Sequence, residues 1–280
     1  MQFSFTYPMV GGDHDPALTT RDGMRSVLEA AEAGGFGAVG FTDHPIPSRR
    51  WLEAGGHNAL DPFAALAFCA AVTEQIRLMT NVVVVPYRNP FLLAKMVATV
   101  DVLSEGRTIL GAGTGYLRAE YRALGVEFDE RNELFDEALD TILAAWSGDE
   151  VTFEGRHFTA SSNRAHPEPV QQPHPPIWIG GHTGPAIRRA AKYGDGWMPI
   201  GGRGNSGSSL AEKIVLLKKQ AEEAGRDPDS LNITSFGIRP DPDLIGRMSD
   251  AGVDRVIFTL PSQERAEVTP LIDECAKLIS

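Results

Sequence analysis

Apolar, β-branched runs alternate along this chain with segments whose apolar positions recur at helical spacing. The run from Asn81 to Val85 does not alternate, as expected of a strand buried on both faces of a parallel sheet, and Pro86 ends it. A helical pattern follows and closes at Gly106, after which a second buried strand, Thr108 to Leu110, runs into Gly111, Gly113 and Gly115. This is a βαβ unit with glycines at its C-terminal strand end, where something flat or anionic could approach the backbone. Upstream, Gln2 to Tyr7 predicts a first strand. Thr19 or Thr20 caps a helix reaching Ala33, with Met24, Val27, Leu28 and Ala31 on its apolar face. Ala38 to Thr42 predicts a second strand. A polar loop from Asp43 to Leu60 then leads to Asp61 and Pro62, an N-cap and first-turn proline that open a helix to Thr73. The third strand begins near Ile76, and the fourth helix spans Glu130 to Trp146.

Between this fourth helix and the fifth strand the rhythm breaks. Residues 148–176 predict an insertion: a hairpin of Val151 to Phe153 against Arg156 to Phe158, then a coil holding Pro167, Pro169, Pro173, Pro175 and Pro176. The alternation resumes with Ile177 to Ile179 as the fifth strand, a helix from Pro185 to Tyr193, and a sixth strand at Trp197 and Met198. A mobile glycine- and serine-rich loop, Gly201 to Ser209, precedes a helix from Leu210 to Ala224. Strands at Leu231 to Phe236 and Arg255 to Leu260 flank a helix at Asp243 to Ala251, and a last helix reaches Ile279. Eight strand-helix pairs predict an α/β fold, a (β/α)8 TIM barrel forming one domain over residues 1–280. The competing open, doubly wound sheet calls for a glycine fingerprint in its first βα turn, and Pro8 to Pro16 holds none.

Composition narrows the partners. A hydrophobic content of 42% supports a large core, and a formal net charge of -11 argues against a nucleic-acid or anionic-membrane partner. Cys69 and Cys275 are the only cysteines and lie in helical patterns, which leaves no disulfide framework or zinc knuckle and points to a reducing, cytoplasmic compartment. No apolar run approaches the roughly 18 residues of a membrane span. The start MQFSFTYPMV reads as a strand and not as a signal peptide.

In a barrel, ligands are held just beyond the C-terminal strand ends, which turns the strand order into a site list. After the second strand come Thr42, Asp43, His44 and Pro45; an imidazole beside a carboxylate can donate, accept or relay a proton near neutral pH. The plainer reading is an Asx-turn cap and a loop histidine. His14, Asp43, His44, His57, His174 and His182 are metal ligands by type, yet no two histidines stand at H-x-H or H-x-x-x-H spacing, so no metal is expected. The string GAGTG at 111–115 fits no borrowed motif: the dinucleotide fingerprint fails at Tyr116, and the S-adenosylmethionine loop lacks its acidic residue at Ile109. It either admits a ligand or merely lets the strand turn. Gly180, Gly181, His182, Thr183 and Gly184 precede Pro185 at a helix start, a phosphate site or a simple cap. Trp197 either packs on a planar ring or belongs to the core.

Taken together, FTDHP at 41–45, TNVVVVPYRNP at 80–90, LSEGRTILGAGTGYL at 103–117, FDERNELFDEAL at 128–139, PPIWIGG at 175–181 and YGDGW at 193–197 resemble the luciferase-like monooxygenase superfamily, in its coenzyme F420-dependent branch. The likeness covers most of the chain to about residue 200. It implies a barrel that binds a flavin or deazaflavin at its C-terminal mouth, as a homodimer. It also implies a non-prolyl cis peptide at Asn81-Val82, in a strand-three bulge that backs the ring together with Val84. Asp43 would contact the cofactor, with Gly113, Thr114 and Gly115 beside it and Gly180 to Gly184 holding its phosphate. The sugar-phosphate dehydrogenases of this branch carry a glutamate where this chain has Tyr116, so their substrate and acid-base scheme do not transfer. The implied reaction is hydride transfer between C5 of F420 and a small organic substrate, with His44 in the proton role and Tyr116 as second candidate. The alternatives are an FMN-dependent monooxygenase of the same superfamily and a non-catalytic flavin-binding protein.

Overall fold

The barrel strands of this chain lie parallel and close on themselves, with helices outside them returning the chain, and a separate antiparallel hairpin stands apart. The computed structural model describes residues 1–9, 14–148, 150–201, 207–262 and 265–278. In chain order the elements are β1 (Gln2–Thr6), α1 (Arg21–Ala33), β2 (Ala38–Phe41), α2 (Arg49–Glu53), α3 (Pro62–Val72), β3 (Arg77–Thr80), β4 (Val83–Val84), α4 (Pro90–Leu103) and β5 (Thr108–Gly113). They continue with α5 (Arg118–Ala123), α6 (Arg131–Trp146), β6 (Val151–Glu154), β7 (Thr159–Asn163), β8 (Ile177–Gly180), α7 (Gly184–Tyr193) and β9 (Gly196–Met198). The chain ends with α8 (Gly207–Glu223), β10 (Asn232–Ile238), α9 (Pro242–Asp250), β11 (Arg255–Thr259) and α10 (Arg265–Ala276). Most of the predicted Gly201 to Ser209 loop, residues 202–206, lies outside the described residues, as does Ile279.

Strand order β3-β2-β1-β11-β10-β9-β8-β5 is closed by a β3–β5 pairing, so the sheet is a (β/α)8 barrel and not an open sheet. Residues alternate between two apolar cores. Ala38, Met79, Ile109, Trp178, Met198 and Ile257 pack together within the barrel. Their neighbours Val39, Leu78, Leu110, Ile177, Trp197 and Phe258 belong to the larger core with the helices. Trp197 is wholly buried, which makes it a core residue; its Nε1-H donates to Gly181 O at 2.7 Å and braces the turn after β8.

Helix starts follow the sequence signals. Thr20 caps α1 through the Gly23 amide, Asp61 caps α3 through the Phe63 and Ala64 amides, and Asn89 does the same for α4, with Pro62 and Pro90 in the first turns. Three expectations are corrected. The run Asn81 to Val85 is not one strand: β3 stops at Thr80, the Asn81-Val82 peptide is cis, and β4 is only Val83–Val84 before a 3-10 turn at Val85–Tyr87. Met79 pairs with Ile109 and Val83 with Ala112, so β3 and β4 carry one residue more than β5 opposite, a bulge. The second hairpin strand is Thr159–Asn163 and not Arg156 to Phe158, because the His157 and Phe158 amides donate to Glu137 Oε1 of α6 at 2.7 and 2.9 Å and are not free for a ladder. The stretch Asp43 to Leu60, read as a loop, contains α2, and α5 stands in the stretch between β5 and α6 to which no element was assigned.

The proline-rich coil is pinned to the barrel by the fully buried Asp101 of α4. Its carboxylate accepts from the Val170 amide at 2.8 Å and from the Gln171 amide and side chain at 3.0 and 2.7 Å. Among the described residues no helix is long and apolar enough to cross a membrane.

Candidate active site

The bulge shapes the mouth of the barrel. Val82 stands between neighbouring strands, and a β-carbon on Gly113 of β5 would lie 2.7 Å from Val82 Cγ2, one on Gly180 of β8 2.9 Å from Val82 Cγ1. On the other side a β-carbon at Gly40 would lie 2.8 Å from Asn81 Cβ, and one at Gly111 2.0 Å from Thr80 O. These glycines therefore make room for the third-strand backbone and its valine, a more specific role than turning the chain. Asn81 Nδ2 donates to Thr6 Oγ1 at 2.8 Å, while its buried Oδ1 has no partner.

Above the bulge opens a cavity of about 680 Å³, within the usual range for small-molecule sites. Its wall brings together Asp43 and His44 after β2, Asn81, Val82 and Val84 of the bulge, and Gly113, Thr114, Gly115 and Tyr116 at the end of β5 and beyond it. Gly180, Gly181, His182 and Thr183, at the end of β8 and beyond it, close the circuit, whereas Gly184 begins α7 and does not line the wall. Thr183 is the N-cap of α7 but makes no side-chain cap bond. Its hydroxyl and the first-turn amides of the helix are left for a ligand. Gly181 holds φ +115°, a conformation that only glycine adopts readily. Arg131, Asn132 and Arg189 also line this end. Arg189 bonds Asp136 at 2.6 and 3.1 Å, while Arg131 donates to a carbonyl, Phe128 O, at 2.9 Å.

Asp43 and His44 separate chemically. Asp43 is buried, and its carboxylate takes a bidentate pair from Arg88 at 2.6 and 2.9 Å and the Val84 amide at 2.8 Å. Burial works against the Arg88 charge, but the bonds and charge of Asp43 outweigh it and raise the guanidinium's pKa. Asp43 thus ties β2 to the far side of the bulge. His44 turns elsewhere: its Nδ1 lies 3.2 Å from Oε2 of Glu120, a carboxylate of α5 with no solvent exposure. Glu120 also accepts from the Tyr87 hydroxyl at 3.1 Å and the Ile46 amide at 3.3 Å. With those donors on it, Glu120 is set as an acceptor, so the network assigns the proton to His44 Nδ1 and leaves Nε2 for the cavity. The tyrosine hydroxyl of Tyr87 is driven strongly upward by burial and by Glu120, which keeps it a neutral donor.

Aromatic rings surround His44. Ring centroids lie 4.6 Å away for Trp51 of α2, 4.8 Å for His57 and 6.2 Å for Tyr116. Burial lowers the His57 pKa, more than its bond to Asn58 O and the charge of Glu120 raise it. Sequence reasoning missed Glu120, Arg88, Arg131 and Arg189. Glu120 and Arg88 meet their partners 76 and 45 residues away, so no local spacing marks them.

A flat polycyclic cofactor with an anionic tail fits this cavity on two counts: the apolar wall of Val82, Val84 and Ile179, and the uncapped helix start beside Arg131. A barrel oxidoreductase with its chemistry at the C-terminal mouth is the class that fold and site define. The chain belongs to the luciferase-like monooxygenase family, which it matches over residues 1–239, and it is an enzyme. It is 33% identical over 223 residues to an F420-dependent glucose-6-phosphate dehydrogenase of Microbacterium testaceum, covering 76% of this chain and 63% of that one. Among solved structures it resembles an F420-dependent secondary alcohol dehydrogenase in complex with an F420-acetone adduct, at TM-score 0.81 and 18% identity over 100% and 99% of the two chains. It also resembles the monooxygenase RslO1 of Streptomyces bottropensis, at TM-score 0.81 and 23% identity over 99% and 98%.

Proposed function

We propose that this protein is an F420-dependent oxidoreductase that transfers a hydride between the deazaflavin and a small organic substrate, in the cytoplasm and within a single barrel domain. The observation that carries the reading is the pairing of an apolar wall at Val82 and Val84 with an uncapped anion site at Thr183 across one cavity. The F420-dependent relative of 33% identity supports the same cofactor. When bound, F420 would give or take the two electrons as hydride.

The chain supplies the rest. Val82 and Val84, with Asn81 and Gly113 to Gly115 on the same wall, would hold the ring. Gly180, Gly181, His182 and Thr183 hold the phosphate with the amide end of α7, and Arg131 adds charge for the remaining tail. His44 holds or removes the substrate proton at Nε2, oriented through Nδ1 by Glu120. Tyr116, at the rim and close to His44, is the second proton candidate. Asp43 is a positioning residue, because Arg88 and the Val84 amide occupy its carboxylate.

Leu92, Met96, Thr99 and Leu103 recur at helical period along α4, and Leu92 and Leu103 are 57% and 55% exposed. We assign this stripe to a homodimer contact, which light scattering of the eluting protein checks: twice the chain mass supports it and a monomer refutes it. The cofactor is tested by titrating F420 and FMN into the purified protein while following ring absorbance. Saturable binding of F420 with FMN much weaker is expected; the reverse preference makes the enzyme an FMN-dependent monooxygenase.

A further inference from the structure

The two ends of the cavity differ in charge, and we infer that the end around His44 and Tyr116 is the substrate subsite and takes an uncharged planar molecule, an aromatic or conjugated ring, in preference to a sugar phosphate or other anion. The inference rests on the cofactor reading above and names the substrate class for it.

Among the described residues, the arginines that line the cavity are Arg131 and Arg189; Arg189 stands on α7, the helix that Thr183 caps, and bonds Asn132 beside Arg131 at the start of α6, while the Arg131 guanidinium lies over the Phe128 ring. At the His44 end every nearby charge already has partners. Asp43 is neutralised by Arg88, and Arg88 also reaches Asp61 at 3.3 Å. Glu120 is fully buried and holds its three donors. His57, with its pKa lowered by burial, adds a neutral ring. A phosphate or sulfonate placed there would lose water, find no described cation in exchange and face the buried charge of Glu120.

A flat uncharged ring meets the opposite situation. Tyr116 is 63% exposed although it lines the cavity wall. Large side chains left open on the wall of a concave site are surface for a ligand to cover. Tyr116 also lies 6.4 Å from Trp51, at an interplanar angle of 61°, so the rings there form a connected aromatic surface around His44. The polar group offered at this surface is the His44 imidazole, which suits a single carbonyl or hydroxyl on the ligand. Kinship with a glucose-6-phosphate dehydrogenase therefore does not carry over to the substrate.

The test uses two probes with the same ring and different charge, 2-naphthol and 2-naphthalenesulfonate, titrated calorimetrically at neutral pH into the F420-loaded protein, with glucose 6-phosphate as a third ligand. The naphthol is expected to bind saturably and at least about tenfold more tightly than the sulfonate, given the uncompensated desolvation of the anion. Glucose 6-phosphate is expected to give no binding heat. Tyr116→Ala, a change at an exposed rim position, should weaken naphthol binding about three- to tenfold, the scale of one aromatic contact. Tighter binding of the sulfonate or of glucose 6-phosphate, or naphthol binding unchanged by Tyr116→Ala, overturns the subsite while the cofactor reading stands. Failure of F420 to load in the preceding titration removes both.

Discussion

His44 shares one buried carboxylate with a tyrosine and a backbone amide, and that sharing fixes what its imidazole can do. His44→Ala should lower turnover with F420 by about 10²- to 10⁴-fold, the usual contribution of a positioned acid-base group, while F420 affinity stays within about twofold. Steady-state kinetics and the titration separate the two, and equal turnover in the variant would reject the assignment. Glu120→Ala strands the Tyr87 hydroxyl, the Ile46 amide and His44 Nδ1, each at a cost of about 1–3 kcal/mol. In 15N spectra of the folded variant the His44 ring should shift away from the Nδ1-H tautomer, and Glu120→Gln, which keeps an acceptor, should retain it. A tautomer unmoved by Glu120→Ala would show that Glu120 does not orient the imidazole. At this scale the sequence was half legible. Asp43 and His44 are adjacent and follow a recognisable strand, so their place at the mouth could be read. Their division of labour could not, because Arg88 and Glu120 reach them only through the closed barrel.

The bulge between β3 and β4 is an element whose shape depends on its neighbours. Gly180→Ala should destabilise the protein by about 1–3 kcal/mol through overpacking against Val82. In a Val82→Ala background, where the colliding methyls are gone, the same change should cost less than about 1 kcal/mol. Urea unfolding of the four proteins of this cycle measures the coupling, and additive effects would deny the contact. Asp101→Ala should free the coil around Val170 and Gln171, detected as faster proteolysis there with the barrel intact; an unchanged cleavage pattern would contradict that anchoring role. The strands and the long helices of the barrel were legible from their periods, with caps marking α1, α3 and α4. The break after Thr80 was legible only through the family resemblance, which placed the cis peptide at Asn81-Val82, and the register of the hairpin was not legible. The apolar run Asn81 to Val85 reads as one strand until β5 imposes the extra residue, and the hairpin amides are claimed by Glu137, a distant helix residue.

For the whole molecule, acid should loosen the α1 face. Glu32 of α1 accepts from the Glu74, Gln75 and Ile76 amides at 3.0, 2.6 and 2.9 Å. Burial raises its pKa, but those three bonds outweigh it and hold the carboxyl below its ordinary value. A folded pKa below the unfolded one gives stability that is present above the unfolded value and lost as pH falls through the folded value. The stability difference between the protein and Glu32→Gln should therefore shrink as pH falls through and below the ordinary glutamate range; a difference independent of pH would reject this. Barrel closure was legible from the count of strand-helix pairs, and the cavity from the strand ends. Arg131 and Arg189 reach its wall only once α6 and α7 pack together, which no local pattern marks. With F420 held against the third-strand bulge and its anionic end at the start of α7, hydrogen-deuterium exchange compared with and without F420 should slow only in the segments around residues 82–85, 113–116 and 181–187; protection elsewhere on the barrel with none at those segments would contradict that placement.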